Sequence, residues 1–122
     1  MLTIDIAIAT WKDRIYMVER MLLPPIEGVR YVVSWQEHAG RALPEGIRCR
    51  LSRECGGDDG DVEVYRFDLK GVSRNRNNAI DHCRGDVVIM SDDDLVYSRK
   101  GIDNVRAVSY THLRAHETLS DL

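Results

Sequence analysis

The 122 residues make one small domain, and a chain that is 43% hydrophobic and 30% charged can build a core and is not a disordered segment. A formal net charge of −3 gives no electrostatic case for nucleic acid or an anionic membrane surface as partner, and no apolar run approaches the roughly 18 residues of a membrane span. The start, Met1-Leu2-Thr3-Ile4-Asp5-Ile6, lacks the basic stretch and cleavage site of a signal peptide, so a cytoplasmic chain is expected.

Leu2 to Thr10 is predicted as a strand. Ile4, Ile6 and Ile8 alternate with Asp5, Ala7 and Ala9, and small residues on one face suit a central strand with a helix packed close. Lys12 to Leu22 is predicted as a helix with Ile15, Val18 and Leu22 on one face and Asp13 in its first turn; Pro24-Pro25 stops it. Val29 to Trp35 is the next strand. Strand, helix, strand is the opening of a parallel α/β sheet. Gln36 to Asp61 is broken by Gly40, Pro44, Gly46 and the run Gly56-Gly57-Asp58-Asp59-Gly60-Asp61, and is expected to hold one short element and a surface loop. That run lacks the spaced acidic ligands of a calcium loop. Val62 to Asp68 is a further strand. Ser73 to Arg84 is a helix capped by Ser73, with Arg76, Ile80 and Cys83 on one face and Gly85 at the position that ends it. Asp86 to Ser91, with Val87-Val88-Ile89-Met90, reads as a buried parallel strand.

Three features carry chemistry. Asp92-Asp93-Asp94 directly follows the apolar strand. Side chains alternate along extended chain, so Asp92 and Asp94 face one side and Asp93 the other. Two carboxylates on one side repel unless a cation lies between them, and Mg²⁺ or Mn²⁺ takes one or two carboxylates plus substrate phosphates. Ligands of open α/β sheets bind outside the carboxyl ends of the strands, where this triplet falls. A plain acidic turn is the alternative. Second, Gly71-Val72-Ser73-Arg74-Asn75-Arg76-Asn77-Asn78 opens a helix, where free N–H groups attract anions. Basic residues are unfavourable there, so a carboxylate or a phosphate is expected to compensate them. Third, Ala9-Thr10-Trp11-Lys12-Asp13 ends the first strand on the same edge, although an ordinary turn explains it equally well. Trp35 and Gln36 end the second strand there too, so Trp35 either flanks a base or only packs. His38 is expected at the surface.

Taken together and in order, Gly71-Val72-Ser73-Arg74-Asn75-Arg76-Asn77-Asn78-Ala79-Ile80 and Gly85-Asp86-Val87-Val88-Ile89-Met90-Ser91-Asp92-Asp93-Asp94 resemble family 2 glycosyltransferases. Their pattern runs Gly-Leu-Ser, Ala-Arg-Asn, a helix, Gly-Asp, an apolar strand and Asp-x-Asp. Ile4 to Asp13 is similar to the family's first strand and turn. The resemblance implies an α/β, Rossmann-like GT-A fold, with a mainly parallel sheet ordered 3-2-1-4 and flanked by helices. It implies a nucleotide-sugar site around Ala9, Thr10, Trp11, Ser73, Arg76, Asn77, Asp92 and Asp93, with a divalent cation (Mn or Mg) on Asp92 and Asp94. It implies transfer of a sugar, with inversion, from a nucleotide-sugar such as a UDP-sugar to a hydroxyl on a glycan, lipid or small molecule. One departure is plain: the family often has an Asp at the end of the second strand that reads the base, where this chain has Ser34-Trp35-Gln36.

Two other functions compete: a sugar nucleotidyltransferase, and a non-catalytic nucleotide-binding module. The first carries a Gly-rich signature soon after its first strand, and residues 9–20 contain no Gly. A zinc site from Cys49, Cys55, His82 and Cys83 has no CxxC pair to anchor it, and in a cytoplasmic chain these cysteines are expected as free thiols. Finally, Ser109 to Thr118 resembles translated sequencing-adapter sequence. On that reading residues 1–107 are a truncated nucleotide-sugar-binding domain whose catalytic base lies further on, residues 108–122 are a non-native tail, and His112 and His116 are no metal site. The alternative is a native helical tail.

Overall fold

The computed structural model describes residues 2–52 and 60–120. Its centre is a four-stranded sheet of β1 (Ile4–Trp11), β2 (Val29–Gln36), β3 (Val62–Phe67) and β4 (Val87–Ser91). The strands run in the order β3-β2-β1-β4, all parallel. The expected α/β fold and 3-2-1-4 order are what the chain adopts. The helices are α1 (Ile15–Met21), α2 (Glu45–Arg48), α3 (Val72–Asp81) and α4 (Arg99–Ser120). The tail from residue 108 to 120 is a continuation of α4. Of the glycine-rich loop, Gly56 to Asp59 lie outside the described residues, as does Cys55.

Register makes the two faces of the sheet different. Ile4 pairs with Val29 and Val87, Ile6 with Tyr31 and Ile89, and Tyr31 with Val62. These residues therefore share one face. Ile15, Val18 and Met21 of α1, Ile47 of α2 and Ile102 of α4 pack on it as the hydrophobic core. A Leu or Ile side chain buried to this extent contributes about 1.5–3 kcal/mol. The helix predicted from Lys12 splits: Lys12–Arg14 form a 3₁₀ turn, and the α-helix begins at Ile15 with Met21, not Leu22, completing its buried face.

On the other face lies α3, and here the sequence misled. Its cap is Gly71, at φ 113°, and Ser73 is exposed within the first turn and caps nothing. The packed residues are Asn75 and Ala79, with Asn78 donating from Nδ2 to Ser34 Oγ at 2.8 Å. Arg76 and Ile80 are exposed, and Cys83 lies past the helix end. Asn75 also donates Nδ2 to Thr10 O at 3.0 Å, so the buried stripe of the helix is partly polar and an apolar-periodicity reading rotates it wrongly. β4 is likewise only half-covered: it is an edge strand, and Val88 and Met90 are 40% and 37% exposed.

Under α3 lies a buried ion cluster. Asp5 and Glu63 are 0% and 1% exposed. Arg30 joins them, donating Nε and Nη2 to Asp5 at 3.1 and 2.7 Å and Nη1 to Glu63 at 2.8 Å. The backbone N–H groups of Arg84 and Gly85 also donate to Asp5, at 2.7 and 2.9 Å. Gly85 does not terminate α3. It is glycine because a Cβ there would stand 3.0 Å from Asp5 N, Cγ and Oδ1. Burial alone would raise the Asp5 pKa, but hydrogen bonds from the Arg30 side chain and from the Arg84 and Gly85 amides outweigh it and hold the carboxyl below its usual value.

Candidate functional site

In an all-parallel sheet every strand delivers its last residues to one edge. Trp11, Gln36, Phe67 and Ser91 end there, and a cavity of about 650 Å³ opens over them. The chain leaves β1 and β2 through Lys12 and Glu37, both at φ 49°, a left-handed conformation uncommon for residues other than glycine and concentrated at functional sites. The Lys12 turn is held by its carbonyl, which accepts Trp35 Nε1–H at 3.0 Å. Lys12 Nζ also lies 3.7 Å from Glu37 Oε2, joining the two turns.

The Asp triplet divides by exposure. Asp93 turns toward α1, is 4% exposed, and is bound by Arg14 through Nε at 2.7 Å and Nη2 at 2.5 Å and by the Thr10 hydroxyl at 3.0 Å. The hydrogen bonds to Asp93 raise the Arg14 pKa further. Asp92 and Asp94 stay open, their side chains 59% and 51% exposed. Arg76 of α3 donates to Asp92 at 3.1 Å, and Arg14 lies 3.9 Å from Asp94. Of the two arginines that open α3, Arg76 is thus compensated by a carboxylate.

Ala9, Thr10, Trp11, Arg76, Asp92, Asp93 and Asp94 all line this one cavity. Ser73 and Asn77 do not: they are exposed on α3, away from its wall. Trp35 is fully buried and packs in the core, so it cannot flank a ligand. His38 is not a plain surface residue; it is 19% exposed, lines the cavity and meets Asp68 at 2.9 Å. Sequence reading missed Arg14, Asn75 and Asp68 in the wall. Asp68 was legible in principle, since it follows β3 as Asp92 follows β4. Arg14 gave no signal, because its role depends on where Asp93 turns. Asn75 donates Nδ2 to Thr10 O at 3.0 Å while its Oδ1, buried, has no partner among the described residues.

The donor set fits a hard divalent cation that completes its shell elsewhere. Asp92 and Asp94 both present exposed carboxylates to the cavity, and among the described residues no three His, Cys, Asp or Glu side chains come together as a protein-only cage. One or two carboxylates with phosphate and water is the usual pattern for Mg²⁺. The free cysteines, exposed Cys49 and half-buried Cys83, stand apart from the cavity, and burial pushes the Cys83 thiol up to about 11.

The family model for glycosyl transferase family 2 matches residues 45–106. The chain belongs to glycosyltransferase family 2. The match covers β3, α3, β4 and the Asp triplet, while β1, β2 and Arg14, which complete the cavity, lie outside it. No curated protein and no solved structure matches the chain. Family membership implies a nucleotide-sugar donor and an acceptor, and family 2 enzymes generally use divalent cations. No helix among the described residues is long and apolar enough to cross a membrane.

Proposed function

We propose that the cavity is the donor site of a metal-dependent, inverting glycosyltransferase, and that the nucleotide is that of a UDP-sugar. The supporting observation is the pair Asp92 and Asp94, both exposed to the cavity just past the carboxyl end of β4, with Arg76 beside the first and Arg14 near the second. Asp92 and Asp94 would hold the cation, whose positive charge favours departure of the diphosphate. Arg76 is placed to donate to a phosphate oxygen once it leaves Asp92. Asp93 does not need to touch the ligand: its two bonds to Arg14 and one to Thr10 fix the backbone that presents its neighbours. In the transfer, the acceptor hydroxyl oxygen bonds to the anomeric carbon and gives up its proton to a general base as the bond from that carbon to the diphosphate oxygen breaks, which inverts the carbon. The acceptor is a hydroxyl of a glycan, a lipid or a small molecule. In this proposal residues 1–107 supply the donor half of the reaction and residues 108–122 supply nothing to it. Ser73 and Asn77 reach a ligand only if it extends over the exposed face of α3.

Calorimetry of UDP binding with and without Mn²⁺ tests the reading. Binding should require the cation, and Asp94→Ala should abolish most of the cation-dependent gain while changing stability by less than about 0.5 kcal/mol. Tight UDP binding in EDTA would falsify it.

A further inference from the structure

Two arginines meet the Asp triplet, and they are held differently. Arg76 reaches Asp92 through a bond of 3.1 Å with both side chains half-exposed, so it can swing away when a ligand arrives. Arg14 is anchored. Its Nε and Nη2 bind the two carboxylate oxygens of Asp93 at 2.7 and 2.5 Å. Asp93 is itself buried, and the Thr10 hydroxyl holds it from a second side at 3.0 Å. A guanidinium planted on a buried carboxylate by a two-bond fork stays where it is.

The anchored charge nonetheless faces the cavity. Arg14 is 41% exposed, lines the wall with Asp92, Asp93 and Asp94, and brings Nη2 to 3.9 Å from Asp94 Oδ2. Asp94 and Asp92 both act on it electrostatically, and that action is mutual. On the donor-site reading above, on which this inference rests, Asp92 and Asp94 hold a divalent cation. Such an ion lies about 2 Å from the carboxylate oxygen that binds it. Held by Asp94 Oδ2, it comes within about 6 Å of the Arg14 nitrogen. A doubly and a singly charged cation at roughly that distance repel enough to lower affinity about tenfold, even at the dielectric constant of water. Asp93 offsets little of this, because its own charge is already paired. A diphosphate reverses the balance: it brings several negative charges, which the same guanidinium attracts.

We propose that Arg14 is a built-in counter-charge that keeps the empty site from holding its cation and makes the cation and the nucleotide diphosphate enter together. Asp93 is the anchor that keeps this charge in place. Arg76 cannot serve in the same way, since it leaves Asp92 when the cation arrives, whereas Arg14 remains through every state of the site.

The test is Mn²⁺ binding by the full chain, read from the electron paramagnetic resonance signal of the free ion, without nucleotide and with saturating UDP. Calorimetry of UDP at saturating Mn²⁺ accompanies it. Wild type should bind Mn²⁺ weakly alone and about tenfold or more tightly with UDP. Arg14→Gln keeps a donor for Asp93 but no charge. It should tighten Mn²⁺ alone by about tenfold and weaken UDP at saturating Mn²⁺ several-fold. Those changes have opposite signs, whereas a merely loosened site would weaken both ligands. Arg14→Lys, which keeps the charge, should stay near wild type for Mn²⁺ alone. Mn²⁺ affinity without nucleotide that is unchanged or weaker in Arg14→Gln overturns the counter-charge role and leaves the donor site standing. Should Arg14→Gln not fold, wild type still decides: Mn²⁺ held as tightly without UDP as with it overturns the role. A wild-type chain that binds neither ligand in the presence of the other overturns both readings.

Discussion

The two ends of this sheet each carry aspartates and arginines, and the two sets are used differently. Near the amino ends, Asp5 and Glu63 are buried and every carboxylate oxygen has a partner: Arg30, Tyr65 OH at 2.7 Å, the Arg84 side chain at 3.3 and 3.4 Å, and two backbone N–H groups. Near the carboxyl ends, Asp92 accepts from Arg76 and, among the described residues, Asp94 has a 3.9 Å approach from Arg14, both carboxylates open to the cavity. The first set is closed and has no capacity left for a ligand. The second keeps unused acceptor capacity where a cation and a phosphate can reach it. Acid–base pairing alone does not separate structure from function; unfilled bonding capacity at an accessible edge does.

The comparison breaks most sharply at Arg30. Arg30→Ala leaves Asp5 and Glu63 buried with their shared cation gone, and a buried pair broken on one side costs about 3–5 kcal/mol. Urea denaturation should show that loss, while UDP binding by the remaining folded protein is unchanged. A smaller loss, about 1–3 kcal/mol, is expected for Gly85→Ala. The new methyl meets the Asp5 backbone nitrogen, which cannot rotate away, as well as its carboxylate. A drop in UDP affinity without destabilisation in either variant would mean that the closed cluster is coupled to the site.

Acid should find the same cluster. Asp5 has a folded pKa held below its unfolded value of about 3.9. Its contribution is therefore fully present above about pH 4 and is lost as pH falls through the lower folded value. Urea midpoints measured from pH 6 downward should hold level as far as Asp5 is concerned and then fall. In Asp5→Asn, less stable at neutral pH, that acid limb should be shallower. An unchanged slope in the variant would assign acid sensitivity to other carboxylates.

The sequence carried the sheet order and the edge that bears the cavity, because strand patterning and parallel topology are local or combinatorial rules. It carried α3 poorly. That helix buries Asn75 and Ala79, with Asn75 donating to Thr10 O and Asn78 to Ser34 Oγ, and a stripe that is polar at these points has no hydrophobic signature. Arg14 and His38 were illegible for a related reason. Each acquires its role from a partner many residues away, Asp93 or Asp68, and only the fold sets those distances. Position alone makes Gly85 look like a helix terminator, whereas the constraint on it comes from Asp5 across the chain.

A small effect on stability with a clear effect on binding is expected at Arg76. Its pair with Asp92 is half-exposed on both sides, 48% and 59%, and such surface pairs contribute about 0–1 kcal/mol. Arg76→Ala should therefore leave the urea midpoint nearly unchanged, the opposite of Arg30→Ala. Binding should respond differently. If Arg76 passes from Asp92 to the diphosphate, it exchanges a hydrated contact for a charge-assisted hydrogen bond in a cavity. That exchange is worth about 1.5–3 kcal/mol, or roughly tenfold or more in affinity. Uridine carries no diphosphate and should bind wild type and variant alike. The measurement is the ratio of UDP to uridine affinity in the two proteins at fixed Mn²⁺. A ratio that stays constant, with both ligands weakened equally, would place Arg76 with Arg30 as a structural cation, and the distinction between a closed and an open cluster would fail at its most exposed member.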